Sequence, residues 1–501
     1  MRARVAIRII RRAPARLAVI CLAGTIGTVL LAACSFAPHY VRPAFDVPAA
    51  FQYEPADALT GSDVAWWRGF GDSALDAMVT EALAHNGNIE VAVANLEQAA
   101  AVFTQARSGL FPQVGYGASA ARTRSTEPDG ARLAALIPNP QSAYQAALSA
   151  SWEIDLWGRI RNQSEAARAN LLATDDARRA VVMSIVTTVV TDYLQLRGLD
   201  SQLAIAKQTL GTYAESVRLF ELQFKYGQVS QMTVAQAQSQ YESAAAQIPQ
   251  IESQIAQLQD ALSILLGRNP GPIARGRSLE ELTPPPVPDG LPSSLLERRP
   301  DLQQSEQALI GADAQIGAAK ALYFPTISLT AAFGSASADL SNLFTGPARI
   351  WSYAGQVTGP IFTFGAVSGQ VAQSEAAQHA ALANYRLAIQ NAFGDVDNAL
   401  VANQKLREQI AAQTKLVASL KDYEHLARLQ YDGGYAPYST VLQAEQSLFP
   451  AELNLASMRA SLLASAASVY KAMGGGWVDA AAGNATAAES VHHGARILGQ
   501  P

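Results

Sequence analysis

The sequence predicts a mixed α/β fold built twice over, in which a β-hairpin able to span a membrane is followed by a very long helical hairpin. Three observations carry that prediction. Two pairs of segments alternate apolar and polar residues over about ten positions, the length a tilted strand needs to cross a bilayer. Behind each pair an apolar seam steps by four and three, through Ile185–Phe224 and again through Leu382–Leu420. A shift of 207 then lays one half on the other: Leu219, Leu222, Gln223, Gly227, Thr233, Val234, Gln236 and Ala237 fall on Leu426, Leu429, Gln430, Gly434, Thr440, Val441, Gln443 and Ala444. At 501 residues and 49% apolar the chain is too long and too apolar to be disordered, and a net charge of −5 argues against a nucleic-acid partner.

The first 33 residues hold six arginines, no acid, and an apolar run from Leu17 to Ala33, which predicts a signal peptide over 1–33. Its removal takes Cys21 with it and leaves 31 basic side chains against 42 acidic ones. Leu31, Ala32, Ala33 and Cys34 have the spacing of a lipoprotein cleavage box, so Cys34 is the expected lipid acceptor. Ser35 rather than aspartate follows it, which by resemblance to bacterial lipoproteins favours the outer membrane. Acyl chains contribute about 0.8 kcal/mol per buried methylene, enough for a durable anchor. Residues 34–71 carry recurrent prolines, Pro38, Pro43, Pro48 and Pro55, and predict an extended leash.

The first repeat spans 72–266. A helix is expected over 72–108, begun by Asp72 or Ser73. The hairpin 111–157 follows. Val114, Tyr116, Ala118 and Ala120 lie on one face of its first strand, and Tyr144, Ala146, Leu148, Ala150, Trp152, Ile154 and Leu156 on one face of its second. The helical hairpin 159–266 comes next, its first arm roughly 95 Å long at 1.5 Å per residue. Only Asp192 is polar in its seam; it reads as a register pin, as a lumen-facing charge or, the favoured reading, as tolerated because Tyr193 fills the position.

A proline-rich crossing, 267–298, leads to the second repeat at 299–473. Its hairpin, 324–364, alternates Ile327, Leu329, Ala331 and Phe333, then Trp351, Tyr353, Val357 and Ile361, and its helical hairpin occupies 366–473. Pro249 and Pro450 fall within the two returning helices, and 474–501 predict a disordered C-terminal tail.

After Ala33 no apolar stretch is long enough for a transmembrane helix, so spanning falls to the strands. Hydrocarbon tolerates no open sheet edge, because each unpaired backbone group there costs several kcal/mol. Single-chain bacterial barrels need about eight strands or more, and four are offered here, so closure requires further copies. The same symmetry arranges the helical hairpins in a ring, and a hollow tube results.

The residues resemble the TolC-like outer-membrane efflux proteins, lipoprotein branch. The resemblance covers 34–477 and rests on Cys34 with Pro38, Tyr40 and Pro43; on Trp66, Trp67, Phe70, Asp72 and Leu75; on Leu296, Glu297, Arg298, Arg299, Pro300, Asp301 and Leu302; and on Gly359, Pro360, Ile361 and Phe362. It implies a homotrimer with a shared 12-stranded transmembrane β-barrel, four strands per chain, and a long periplasmic α-helical barrel. It also implies a periplasmic adaptor protein and an inner-membrane RND-type transporter as partners. The turns Tyr226, Gly227, Gln228 and Gly434, Tyr435, Ala436 become adaptor-contact candidates, although glycine there also suits a tight turn for its own sake. In the type member a tyrosine, an arginine and two acidic rings hold the tip closed. The tyrosine matches Tyr431, but the arginine position is Ala436 and the acidic ones are Thr440 and Gln443. Gate candidates are therefore Tyr431, Asp432, Gln443 and Glu445, where Asp432 and Glu445 could supply a substitute ring when repeated threefold.

Two other readings stay open at this point, a conduit for secreted protein and a non-conducting coiled-coil lipoprotein. Nothing suggests an enzyme, a cofactor or a metal centre, because the sequence offers no nucleophile, base or phosphate-loop constellation and the six histidines form no metal-spaced pair outside His492 and His493.

Overall fold

The computed structural model describes residues 36–45, 48, 50–53, 65–124, 126, 139–287 and 292–475. The signal segment, Cys34 and the tail from 476 lie outside the described residues. In chain order, a short 3-10 helix at Trp66–Phe70 leads to α1 (Ser73–His85), α2 (Gly87–Ser108), β1 (Gln113–Thr123), β2 (Gln141–Ile154), α3 (Arg159–Lys225) and α4 (Gln231–Leu265). A single turn at Leu295–Arg298 then precedes α5 (Pro300–Ala321), β3 (Thr326–Ser337), β4 (Arg349–Thr358), α6 (Ala366–Asp432) and α7 (Tyr438–Ala472). The long arms α3 and α6 have 67 residues each and the returning arms α4 and α7 have 35 each, so the duplication extends to element length. No helix among the described residues is long and apolar enough to cross a membrane.

The segment expected to stay extended over 34–71 instead closes in the 3-10 helix Trp66–Phe70, whose Trp66, Trp67 and Phe70 are buried, because three large rings are driven out of water, and three boundaries also differ from expectation. The helix expected over 72–108 breaks at Asn86, whose side-chain oxygen accepts from the amides of Asn88 and Ile89 while its amide donates to the Leu265 carbonyl. The Asn-Gly pair thus ends one helix and caps the next. β2 stops at Ile154 rather than Trp157 because the Asp155 carboxylate turns to accept from the amides of Ile160 and Arg161, capping α3. β4 stops at Thr358, before Gly359 and Pro360, leaving Ile361 beyond the strand; proline has no amide to give a ladder.

The contacts divide the chain into two compact units. One comprises the described residues up to Pro43 with 97–173 and 306–384. It contains an antiparallel sheet ordered β1-β2-β3-β4, so β1 and β4 are its two edges. The register sets Tyr116 opposite Leu148, Leu148 opposite Phe333 and Phe333 opposite Trp351. Directly paired residues share a face, so the apolar positions of all four strands form one continuous surface. Tyr116, Phe333, Trp351, Tyr353 and Val357 are all exposed on it. The opposite face carries Ser119, Gln145, Ser149, Ser328, Thr330 and Gln356. In the same unit the leash lies against α5. Arg42 grips Glu306 through two bonds of 2.7 and 2.6 Å, joined by the Tyr40 hydroxyl at 2.7 Å. Phe36 stacks on Phe324, ring centroids 4.6 Å apart.

The other unit comprises the described residues of 44–96, 174–305 and 385–475. Its core gathers Trp66, Trp67, Phe70, Leu75, Val189, Tyr193, Leu262, Leu266 and Tyr470. Asp72 caps α1 through the Ala74 amide and also accepts from the Tyr193 hydroxyl at 2.6 Å and the Arg277 amide at 3.1 Å. Tyr193 fills the seam as expected, and burial pushes its half-buried neighbour Asp192 up to about 6. Pro300 occupies the first position of α5, where its missing amide costs nothing. Arg299 before it is buried, with a forked pair to Asp301 at 3.0 and 2.7 Å, a bond to Asp395 at 3.0 Å, and bonds to the carbonyls of Ala392 and Ala472. That one guanidinium ties together the start of α5, the middle of α6 and the end of α7.

Candidate functional site

The two helical turns are built alike. At the end of α3 the Gln228 amide donates to the Gln223 carbonyl and Gly227 to Phe224, both at 2.9 Å; at the end of α6 Tyr435 donates to Gln430 and Gly434 to Tyr431, at 2.8 and 2.9 Å. This is the Schellman closure, which needs a left-handed residue after the helix. Gly227 and Gly434 supply it, with φ of 66° and 74°. Glycine is therefore required here by the turn itself. Tyr226 and Tyr435 stand out into solvent, 71% and 89% exposed, while Gln228 is exposed and Ala436 half-buried.

Behind the turns one apolar cluster joins both helical hairpins: Phe220, Ala237, Ala427, Tyr438, Val441, Leu442 and Ala444, with Tyr431 packed against it. Tyr431 sets its ring against Phe220 and Tyr438, at centroid distances of 6.1 and 5.5 Å, and its hydroxyl donates to Gln223 Oε1 at 3.4 Å.

The four gate candidates do not come together. Asp432 and Gln443 are exposed, whereas Tyr431 and Glu445 turn into the chain's own helical layer. Glu445, expected as a ring acid, is 5% exposed and accepts from Arg428 Nη2 at 2.7 Å. Its Oε1 is thereby committed within the chain, so Asp432 is the acid left to face solvent beside the turn. Sequence reasoning missed Arg428, which also bonds Glu424 at 2.9 Å, and missed the tyrosines Tyr213 and Tyr438. The Tyr213 hydroxyl donates to the Glu445 carbonyl at 3.4 Å. A usable signal existed: Glu445 stands four residues after Val441 and three after Leu442, on the same helix face as two apolar side chains. Burial pushes the Glu445 carboxyl up to about 7; the Arg428 charge pulls it back and Glu424 adds to the rise. Burial likewise raises both tyrosines, with Glu445 itself contributing.

Against known proteins, residues 78–268 and 291–475 match the model of the outer membrane efflux protein family. The chain is 34% identical to the cation efflux system protein CusC of Escherichia coli O6:H1 over 469 residues, 93% of this chain and 99% of that one. It is also 34% identical to the probable outer membrane lipoprotein SilC of Salmonella typhimurium, over 91% of this chain and 98% of that one. The crystal structure of the Campylobacter jejuni CmeC outer membrane channel superposes with a TM-score of 0.82 at 27% identity, covering 88% of this chain and 95% of that one. Both halves of the duplication fall within one family description, and the chain belongs to the outer membrane efflux protein family.

Proposed function

We propose that three copies of this chain close their sheets into a twelve-stranded barrel and conduct small molecules passively from the periplasm to the exterior. The observation that carries this reading is a four-stranded antiparallel sheet with one continuous apolar face and two unpaired edges, β1 and β4. Such a sheet is stable in hydrocarbon only if both edges are paired, and a single chain leaves both open. Relatives named as efflux components favour a conduit fed by a periplasmic adaptor and an inner-membrane RND-type transporter. The turns at Tyr226–Gln228 and Gly434–Ala436, exposed at all but the half-buried Ala436, suit the adaptor contact. A ring of Asp432, repeated by symmetry, would concentrate cations at the periplasmic mouth.

Cys34 fits the lipid anchor. Phe36, two positions after it, stacks on Phe324 just before β3 begins.

The test is reconstitution of the Cys34→Ser protein in planar bilayers with particle mass measured alongside. Conducting trimers without lipid are expected, since the barrel alone spans the bilayer. A non-conducting monomer in detergent would overturn the channel and favour the coiled-coil spacer.

A further inference from the structure

The internal duplication leaves one aromatic contact without its counterpart. Gln113 faces Ser151 and Thr326 faces Thr358, so first strands are related by a shift of 213 and second strands by 207. Under these shifts Phe111-Pro112 falls on Phe324-Pro325, and Trp157-Gly158 on Phe364-Gly365. Both glycines are left-handed, φ 75° and 94°, immediately before a long helix. Within the chain, Trp157 stacks on Phe324 at 4.7 Å and its indole nitrogen donates to the Pro325 carbonyl at 2.7 Å. That contact fastens the end of β2 to the start of its neighbour β3.

The equivalent contact would join Phe364, after β4, to Phe111, before β1. One copy cannot make it, because β4 and β1 are opposite edges of the sheet. Both rings are accordingly uncovered: Phe364 is fully exposed beside Ile361 and Phe362, and Phe111 is 56% exposed. A second difference between the repeats points the same way. Phe362 stands where the first repeat has Asp155, the carboxylate that caps α3 through two amides. The second repeat thus forgoes that cap and presents a ring. Phe364 also holds a left-handed φ of 47°, uncommon for a bulky side chain.

We infer that Phe364 of one copy stacks on Phe111 of the next, so that an aromatic pair shared by two copies closes the foot of every seam between sheets. This rests on the shared-barrel reading above. Carrying the β2–β3 pair Ala147 and Gly334 through the same shifts sets Ala354 of β4 opposite Ala121 of the next copy's β1.

The experiment uses the full chain in outer membranes with a short thiol-to-thiol cross-linker. Cysteines at Phe111 and Phe364 together should give covalent dimers and trimers, and either alone should not. A second pair, Ala121→Cys with Ala354→Cys, reports the sheet itself. If the alanine pair links and the phenylalanine pair does not, the shared barrel stands and the aromatic contact is wrong, the rings then facing lipid headgroups. If neither links and the particle has the mass of one chain, the barrel reading falls too. A readout without cysteine is the temperature at which the oligomer dissociates in detergent. Phe364→Trp rebuilds Trp157, including an indole donor aimed at the Pro112 carbonyl, and should keep or raise that temperature, while Phe364→Ala should lower it by several degrees. Equal temperatures for all three forms would refute the contact.

Discussion

Replacing Glu445 by glutamine should remove a pH dependence confined to the turn end of the helical hairpins. Burial is the chief cause that pushes the native carboxyl from the ordinary 4.5 up to about 7. The native state therefore holds this proton more tightly than the unfolded chain does. Stability contributed by the group is full below about pH 4.5 and is lost as pH rises through about 7. Holding the proton that much more tightly than an ordinary glutamate corresponds to about 3 kcal/mol lost by pH 8. Because the cluster sits at one end of 35- and 67-residue helices, the loss should appear as local opening rather than global unfolding. Hydrogen exchange of amides in 213–220 and 427–445, corrected for intrinsic rates and read between pH 5 and 8, measures it. The wild type should lose most of that protection free energy across the range, and Glu445→Gln should show a flat profile. A flat wild-type profile, or an unchanged slope in the variant, would refute the argument.

Removing Arg299 should destabilise the helical unit by about 3 kcal/mol, because its deletion takes a donor from the Ala472 carbonyl at the end of α7, removes a second bond from the Ala392 carbonyl and separates the two carboxylates from their shared cation. Thermal melting of Arg299→Ala checks this, and Arg299→Lys should recover only part of the loss, since an ammonium cannot make the forked pair with Asp301. Gly434→Val places a β-branched residue at φ 74° and should cost about 2 kcal/mol locally, seen as faster exchange in 430–437 with the sheet unaffected.

The legible parts of the fold were periodic ones. Alternation along Ile327–Phe333 and the stepping along Ile185–Phe224 follow from backbone geometry, which repeats every two residues in a strand and every 3.6 in a helix. Local punctuation was legible too, though unevenly. Gly227 and Gly434 mark their turns, but helical periodicity runs through Asn86-Gly87 and strand alternation runs past Gly359-Pro360, where the fold breaks both. The gate was the least legible. Resemblance directed attention to position 436 for an arginine, while the guanidinium that meets Glu445 comes from Arg428, earlier on α6 and brought close by the hairpin.

What could be read from the chain alone was therefore the repeat, the strand faces and the turn glycines, all properties of short windows or of their recurrence. Packing settled the rest: that Glu445 faces inward to Arg428, that Arg299 bridges three helices, and that Asp72 serves a tyrosine 121 residues away. Those pairings depend on which helices lie side by side, and no local period encodes which charge a folded neighbour will supply.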